Sequence, residues 1–82
     1  MVNDARPQPF HVLWPDGQLL LTKDLHVELW DRDKKLGELE LFTPVVYLGE
    51  SKISKRKQRT MIRVLTKKGT GWLDARQVVP GT

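Results

Sequence analysis

Apolar and polar residues alternate along this chain with a period of two, in short runs separated by turn signals. The alternation is clear at 25–30, 36–42 and 60–66. Successive side chains of a β-strand point to opposite faces, so these runs predict half-buried strands. No window carries an apolar stripe at helical spacing for more than a turn or two. We therefore predict an all-β fold.

The turn signals divide the chain into segments. Pro15-Asp16-Gly17, the charged run 31–35 and the segment 67–71 contain residue types that favour tight turns. We predict a flexible tail at 1–9, then one domain at 10–82 that consists of an N-terminal hairpin (10–21) and a small barrel (25–80). Within the barrel we expect the strand at 45–48 to end at Gly49. One 3₁₀ turn at 75–77 should precede Val78-Val79.

The C-terminal half resembles the bacterial type of Src-homology-3 domain. That resemblance implies a five-stranded barrel with an additional N-terminal hairpin, and it implies that Trp72 packs over the barrel end. The residues that carry it are Leu36-Gly37-Glu38-Leu39, Val45-Val46-Tyr47-Leu48-Gly49, Ile62-Arg63-Val64-Leu65, Gly69-Thr70-Gly71-Trp72-Leu73 and Val78-Val79.

A second, weaker resemblance is to the Sm-like RNA-binding barrels. In 25–42, Gly37 is followed five residues later by Phe42, as in the first signature of that family, and the Val-Val-Pro ending is similar. Thr43 stands where that family has an aspartate. Both resemblances imply a small five-stranded barrel.

Several function classes lack their usual residues. The chain has no cysteine, which excludes disulfides and thiolate sites. It shows no secretion signal and no membrane-spanning apolar stretch, so we expect a cytoplasmic chain without membrane insertion. His11 and His26 lie far apart and lack metal-ligand spacing. We predict no metal and no cofactor.

Catalysis has few candidate groups. Ser51 and Ser54 have no histidine nearby in the sequence. The carboxylate pairs Asp31/Asp33 and Glu38/Glu40 each share a strand face, but such pairs are also common on solvated edges. No glycine-rich phosphate loop appears. We predict that the chain is not an enzyme.

Positive charge is concentrated in the last third of the chain. The net charge is +4, yet residues 1–50 hold five Lys/Arg against nine Asp/Glu, and residues 51–82 hold nine against one. Such asymmetry favours an anionic partner. The predicted anion-binding or nucleic-acid-binding residues surround a hairpin tip at 52–59 and follow it: Lys52, Lys55, Arg56, Lys57, Arg59, Arg63, Lys67 and Lys68.

Two aromatic residues are possible ligand contacts. Trp30 lies on the strand face opposite Leu25, Val27 and Leu29, and Tyr47 can point to either face. With the basic segment, they predict a non-catalytic module that binds nucleic acid with low sequence specificity. The alternative is a protein-interaction module that binds a peptide, an acidic protein surface or a second copy, since the hairpin could exchange to form a homodimer. Cell-wall binding is implied by the first resemblance alone.

Overall fold

The computed structural model describes residues 14–55 and 58–81, and within them the chain is all-β, as predicted. A 3₁₀ turn at Ala75–Gln77 follows the sixth of seven strands. The strands are β1 (Leu19–Thr22), β2 (Val27–Asp31), β3 (Lys34–Leu39), β4 (Pro44–Ser54), β5 (Arg59–Thr66), β6 (Gly69–Asp74) and β7 (Val78–Pro80).

These strands form one antiparallel sheet in the order β3-β2-β6-β5-β4-β1-β7. The sheet does not close on itself. The five-stranded barrel implied by the resemblance therefore stays a prediction.

The sheet curls around one apolar core. An open, flat sheet of this size would leave both faces in water, but side chains from all seven strands are between 0 and 5% exposed. The strands must wrap around their own inner face to bury them. The core residues are Leu20, Val27, Leu29, Leu39, Val45, Tyr47, Ile62, Val64, Leu73, Ala75 and Val78.

Alternation separates this inner face from the outer face of the sheet. On β5, Ile62 and Val64 point into the core, whereas Arg63 and Leu65 point outward. Met61 shares their outward side, because residues two apart on a strand lie on one face. The outer face therefore carries polar and aromatic residues around a few apolar ones.

The chain enters the sheet through the predicted Pro15–Gly17 turn. Gln18 N donates to Pro15 O at 3.0 Å, and Gly17 has a φ of +91°, which glycine adopts without a Cβ penalty. β1 then pairs with both β4 and β7. The described part of the predicted hairpin is thus an internal strand of the sheet. The tail at 1–9 and the first half of the hairpin lie outside the described residues.

The longest strand, β4, continues beyond the predicted end at Gly49. The register with β5 shifts between Tyr47 and Ser51, and Gly49 has a φ of +83°. A bulge at this position bends the strand without ending the pairing. The result is a long β4–β5 hairpin that carries the basic segment away from the core.

Two buried threonines tie the β3–β4 turn to β1. Thr22 Oγ1 donates to Glu40 O at 2.6 Å and accepts from Thr43 N at 2.8 Å, while Thr43 Oγ1 also donates to Glu40 O at 2.6 Å. Phe42 N donates to Thr22 O at 2.9 Å. These hydrogen bonds, which we call the bracket at Thr22, hold the exposed Phe42 next to the end of β1. Three strands separate β1 from β2 in the sheet order.

Candidate functional site

A row of side chains crosses four neighbouring strands on the outer face. Trp30 of β2 lies opposite Lys35 of β3 on one side and opposite Trp72 of β6 on the other, and Trp72 lies opposite Arg63 of β5. Residues directly opposite each other in a sheet share a face, with Cβ atoms roughly 5 Å apart. Both tryptophans are half-buried. We call Trp30 and Trp72 the aromatic pair.

The basic hairpin contacts the aromatic pair directly. Lys52 of β4 places its Nζ 4.2 Å from the centroid of the Trp72 ring. At this distance the ammonium is attracted by the negative face of the ring. Lys52 lies opposite Met61, which is buried on the outer side of β5. The cationic strand and the aromatic pair therefore belong to one surface.

Two shallow grooves meet at Trp30 and Met61. The first, ≈ 490 Å³, runs between the β2–β3 turn and the β4 arm of the hairpin and is lined by Trp30, Arg32, Asp33, Lys52, Ile53, Ser54, Met61 and Trp72. The second, ≈ 430 Å³, runs past His26, Glu28, Arg59, Asp74 and Gln77. Volumes of this size lie within the range of small-ligand sites.

Carboxylates on β2 and β3 hold the Trp30 ring in place. Trp30 Nε1 donates to Glu28 Oε1 at 3.0 Å, and Lys35 Nζ lies 3.5 Å from Glu28 Oε2 and 2.8 Å from Glu38 Oε2. The hydrogen bond and the charge of Lys35 lower the pKa of Glu38, and the hydrogen bond that Lys35 donates to Glu38 raises the pKa of Lys35. His26 Nδ1 lies 3.3 Å from Glu38 Oε1 and extends this network.

Two arginines near the aromatic pair face carboxylates of the chain itself. Arg63 Nη1 lies 3.2 Å from Glu50 Oε2, and Arg59 Nε lies 3.6 Å from Asp74 Oδ2. Asp74 is buried and also accepts from Arg76 N, which starts the 3₁₀ turn. The exposed Arg63–Glu50 pair contributes about 0–1 kcal/mol, so an anionic ligand can compete for the Arg63 guanidinium group.

The eight predicted anion-binding residues do not form one patch. Lys52, Lys55 and Arg59 lie on the β4–β5 hairpin near its tip, whereas Lys67 and Lys68 form the turn at the other end of β5. Eight residues of extended strand separate these ends by roughly 23 Å. Arg63 lies between them on the outer face, and Arg56 and Lys57 lie outside the described residues.

The two aromatic residues predicted as contacts have different positions. Trp30 is half-buried on the outer face, but Tyr47 is fully buried and packs against Trp14 with ring centroids 5.6 Å apart. Its ring is therefore not accessible to a ligand. Burial raises the pKa of Tyr47, with a smaller contribution from Asp16. Trp72, expected to pack over the barrel end, instead lies beside Trp30 on the outer face.

Sequence reasoning also missed Met61 and Glu28 as parts of this surface. Alternation on β5 places Met61 with Arg63, and alternation on β2 places Glu28 with Trp30. Those local signals were present, but nothing local indicated that β2 and β6 are neighbours. The aromatic pair exists only because that pairing forms.

The remaining sequence candidates for metal binding and catalysis are the two histidines and the two hairpin serines. Among the residues that the structure describes, no group of three or more His, Asp or Glu side chains is placed to hold a metal ion. His11 lies outside that part of the chain. Ser51 is exposed on β4, and Ser54 lies half-buried opposite Arg59. In 14–55 and 58–81, nothing helical has the length and apolar character that a bilayer crossing requires.

Comparisons with protein-family models, with curated proteins and with solved structures give no match for this chain. Its function must therefore be inferred from the geometry of the outer face.

Proposed function

We propose that the chain is a non-catalytic module that binds nucleic acid with low sequence specificity through the aromatic pair and the basic hairpin beside it. The observation that carries this proposal is the placement of Lys52 over the Trp72 ring. Nucleic-acid-binding surfaces of low specificity combine cations that contact phosphates with aromatic rings that stack on bases.

The basic residues near the hairpin tip are the proposed phosphate contacts. Lys52, Lys55 and Arg59 would contact phosphates, since all three are exposed and lie near the hairpin tip. Lysine acts as a mobile point charge, and the planar guanidinium of Arg59 can bind a phosphate bidentately. Contacts of this kind carry no sequence information, which is why we propose low specificity.

The proposal also includes the finer fold assignment, a Src-homology-3-like barrel. Pairing of the first strand with the last strand supports it, as does the 3₁₀ turn immediately before β7. A curled sheet of this kind would present the hairpin as an arm beside the aromatic pair.

Salt dependence tests the nucleic-acid proposal. Fluorescence anisotropy with labelled DNA and RNA oligonucleotides should show affinity that falls by roughly 20- to 40-fold between about 50 and 200 mM salt, for about three phosphate contacts. Affinity that does not change with salt would overturn the proposal. Absence of binding to both DNA and RNA would also overturn it.

A pair of double variants provides a matched comparison. Lys52→Gln with Lys55→Gln should weaken binding and reduce the salt slope by about 0.7–0.9 per lysine. Lys67→Gln with Lys68→Gln removes the same charge at the other end of β5 and should weaken binding much less. Equal losses in the two double variants would mean that net charge, not the hairpin, drives binding.

A protein-interaction role is the second candidate, and Ile53 favours it. This side chain is 50% exposed on the hairpin arm and lines the groove beside the aromatic pair. An exposed aliphatic residue there would suit an apolar side chain of a partner. In this case, loss of the charges at Lys52 and Lys55 would slow association without abolishing the complex.

A further inference from the structure

The charges on the outer face are segregated on the two sides of the aromatic pair. On the β4–β5 side lie Lys52 and Arg63 with Glu50, which is paired to Arg63, and these three groups have a net charge of +1. Arg59 lines the second groove together with Glu28 and Asp74. On the β2–β3 side lie Glu28 and Glu38 with Lys35 between them. Two carboxylates and one ammonium leave that second group with a net charge of −1. The aromatic pair thus has a cationic flank and an anionic flank.

From this arrangement we infer that the ligand is single-stranded nucleic acid and that duplexes bind more weakly. The inference rests on the proposed function and specifies the substrate class. A single strand can place its phosphates along the cationic flank and turn its bases toward Trp30 and Trp72. Its phosphates then stay away from Glu28 and Glu38.

Binding of a duplex to this surface is disfavoured for two physical reasons. Its bases are stacked on each other, so their faces are not available to an aromatic ring unless a base is extruded at a cost. It also carries phosphates on both strands, so a duplex that spans the aromatic pair brings one backbone toward the anionic flank. Repulsion between phosphates and carboxylates disfavours that placement.

The groove between the β2–β3 turn and the β4 arm suits an unstacked base. Its lining combines the two indole rings and Met61 with polar groups from Asp33 and Ser54. Bases of single strands are recognised in this way, by stacking on rings and by hydrogen bonds to their exposed edges. The Glu28 hydrogen bond at 3.0 Å fixes Trp30 at the edge of this groove.

The first test compares ligands. Anisotropy is measured at one salt concentration with an oligothymidylate and an oligouridylate of about 12 nucleotides and with a DNA duplex of the same length. We expect both single strands to bind at least about tenfold more tightly than the duplex. A duplex that binds as tightly as the single strands overturns this inference and leaves the proposed function intact. Absence of binding to all three ligands overturns the proposed function itself.

The second test changes the anionic flank. Glu38→Gln removes one negative charge of this flank and leaves Glu28, the acceptor of the Trp30 indole, unchanged. We expect the ratio of single-strand to duplex affinity to fall, because duplex affinity should rise more than single-strand affinity. An unchanged ratio of single-strand to duplex affinity would contradict repulsion as the cause of the weaker duplex binding.

The third test removes a ring. Trp30→Ala should weaken single-strand binding by about 10- to 100-fold, the loss of one stacked base, and leave the weak duplex binding unchanged. Phe42→Ala removes another exposed ring, at the β3–β4 turn, and should change neither affinity. Equal losses for both ligands in Trp30→Ala, with its fold intact by circular dichroism, would count against stacking. If Trp30→Ala does not fold, Trp30→Leu in the same comparison serves instead.

Discussion

Trp30 Nε1 donates a hydrogen bond to Glu28 Oε1 at 3.0 Å, between two residues that share the outer face of β2. The indole is thereby held by its own strand, beside Trp72 on the neighbouring strand. A ring fixed before a ligand arrives loses less conformational entropy on binding. The acidic flank thus has two roles, since it also carries the negative charge next to the aromatic pair.

Glu28→Ala should release the Trp30 ring. The indole proton then loses its acceptor, so its resonance should shift and exchange faster with solvent. The free energy of unfolding should change by less than about 0.5 kcal/mol, because the contact is exposed. Two-dimensional ¹H–¹⁵N spectra check this, with the indole signals assigned through Trp→Phe variants. Glu28→Gln retains an acceptor and should shift the signal less. If the Trp30 indole signal of Glu28→Ala were identical to that of the wild type, the Glu28 hydrogen bond would not hold the ring.

The bracket at Thr22 predicts a loss of stability. Thr22→Val keeps the shape of the side chain and removes its hydroxyl, so the backbone N–H of Thr43 and the carbonyl of Glu40 lose a partner. Since Thr22 is fully buried, we expect a cost of about 1–3 kcal/mol in the free energy of unfolding. Urea denaturation measures it.

Thr70→Val is the matched control for that prediction. Thr70 is exposed on β6, so the same change of side chain should alter stability by less than about 0.5 kcal/mol. Thr22→Ser retains the hydroxyl and should recover part of the loss. If Thr22→Val and Thr70→Val unfold at the same urea concentration, the bracket contributes little.

Local alternation predicted the strands but not the partners of the outer face. Period-two patterns depend on neighbouring residues, so they indicated β2, β3 and β5, and the turn at Ala75–Gln77 was confirmed in place. The opposition of Trp30 and Trp72 depends on pairing between residues 42 positions apart. No local pattern encodes that pairing.

For two aromatic residues, Tyr47 and Trp72, the predicted positions were wrong, and the reasons differ. Val45, Val46, Tyr47 and Leu48 are all apolar, so their sequence does not distinguish the faces of β4, and only the curl of the sheet decides that Tyr47 is internal. Trp72 had a usable signal: Leu73 points into the core, which turns Trp72 outward. The family resemblance favoured a core position for Trp72.

The buried Tyr47 hydroxyl is the basis for a prediction about Tyr47→Phe. Among the described residues it has no hydrogen-bond partner, although the side chain is fully buried. Tyr47→Phe removes this unsatisfied group and keeps the ring against Trp14. We expect the free energy of unfolding to stay equal or rise by about 1 kcal/mol. A loss above that amount would indicate that the hydroxyl has a partner in solution.

The raised pKa of Tyr47 adds a pH dependence to that prediction. Above pH of about 10 the unfolded chain releases the phenolic proton while the folded chain retains it. The free energy of unfolding is therefore unaffected by this group below that pH and falls as pH rises toward the folded-state pKa, because the folded chain then binds more protons than the unfolded chain. Thermal unfolding is measured between pH of about 8 and 11 in buffers of equal ionic strength. The melting temperature of the wild type should fall faster with pH than that of Tyr47→Phe.

The close approach of β6 to β2 at Gly71 gives the last prediction. A Cβ at this position would lie 2.9 Å from Leu29 Cδ1 and from the backbone oxygen of Trp30, and a backbone atom cannot rotate away. Gly71→Ala should therefore push β2 and β6 apart and destabilise the protein by about 1–3 kcal/mol. Because the aromatic pair depends on this strand pairing, the mutation should also shift the Trp30 indole signal. Thr70→Ala is the control, because Thr70 is exposed on the same strand and already carries a Cβ. Equal melting temperatures for Gly71→Ala and the wild type would mean that the two strands are not held this closely in solution.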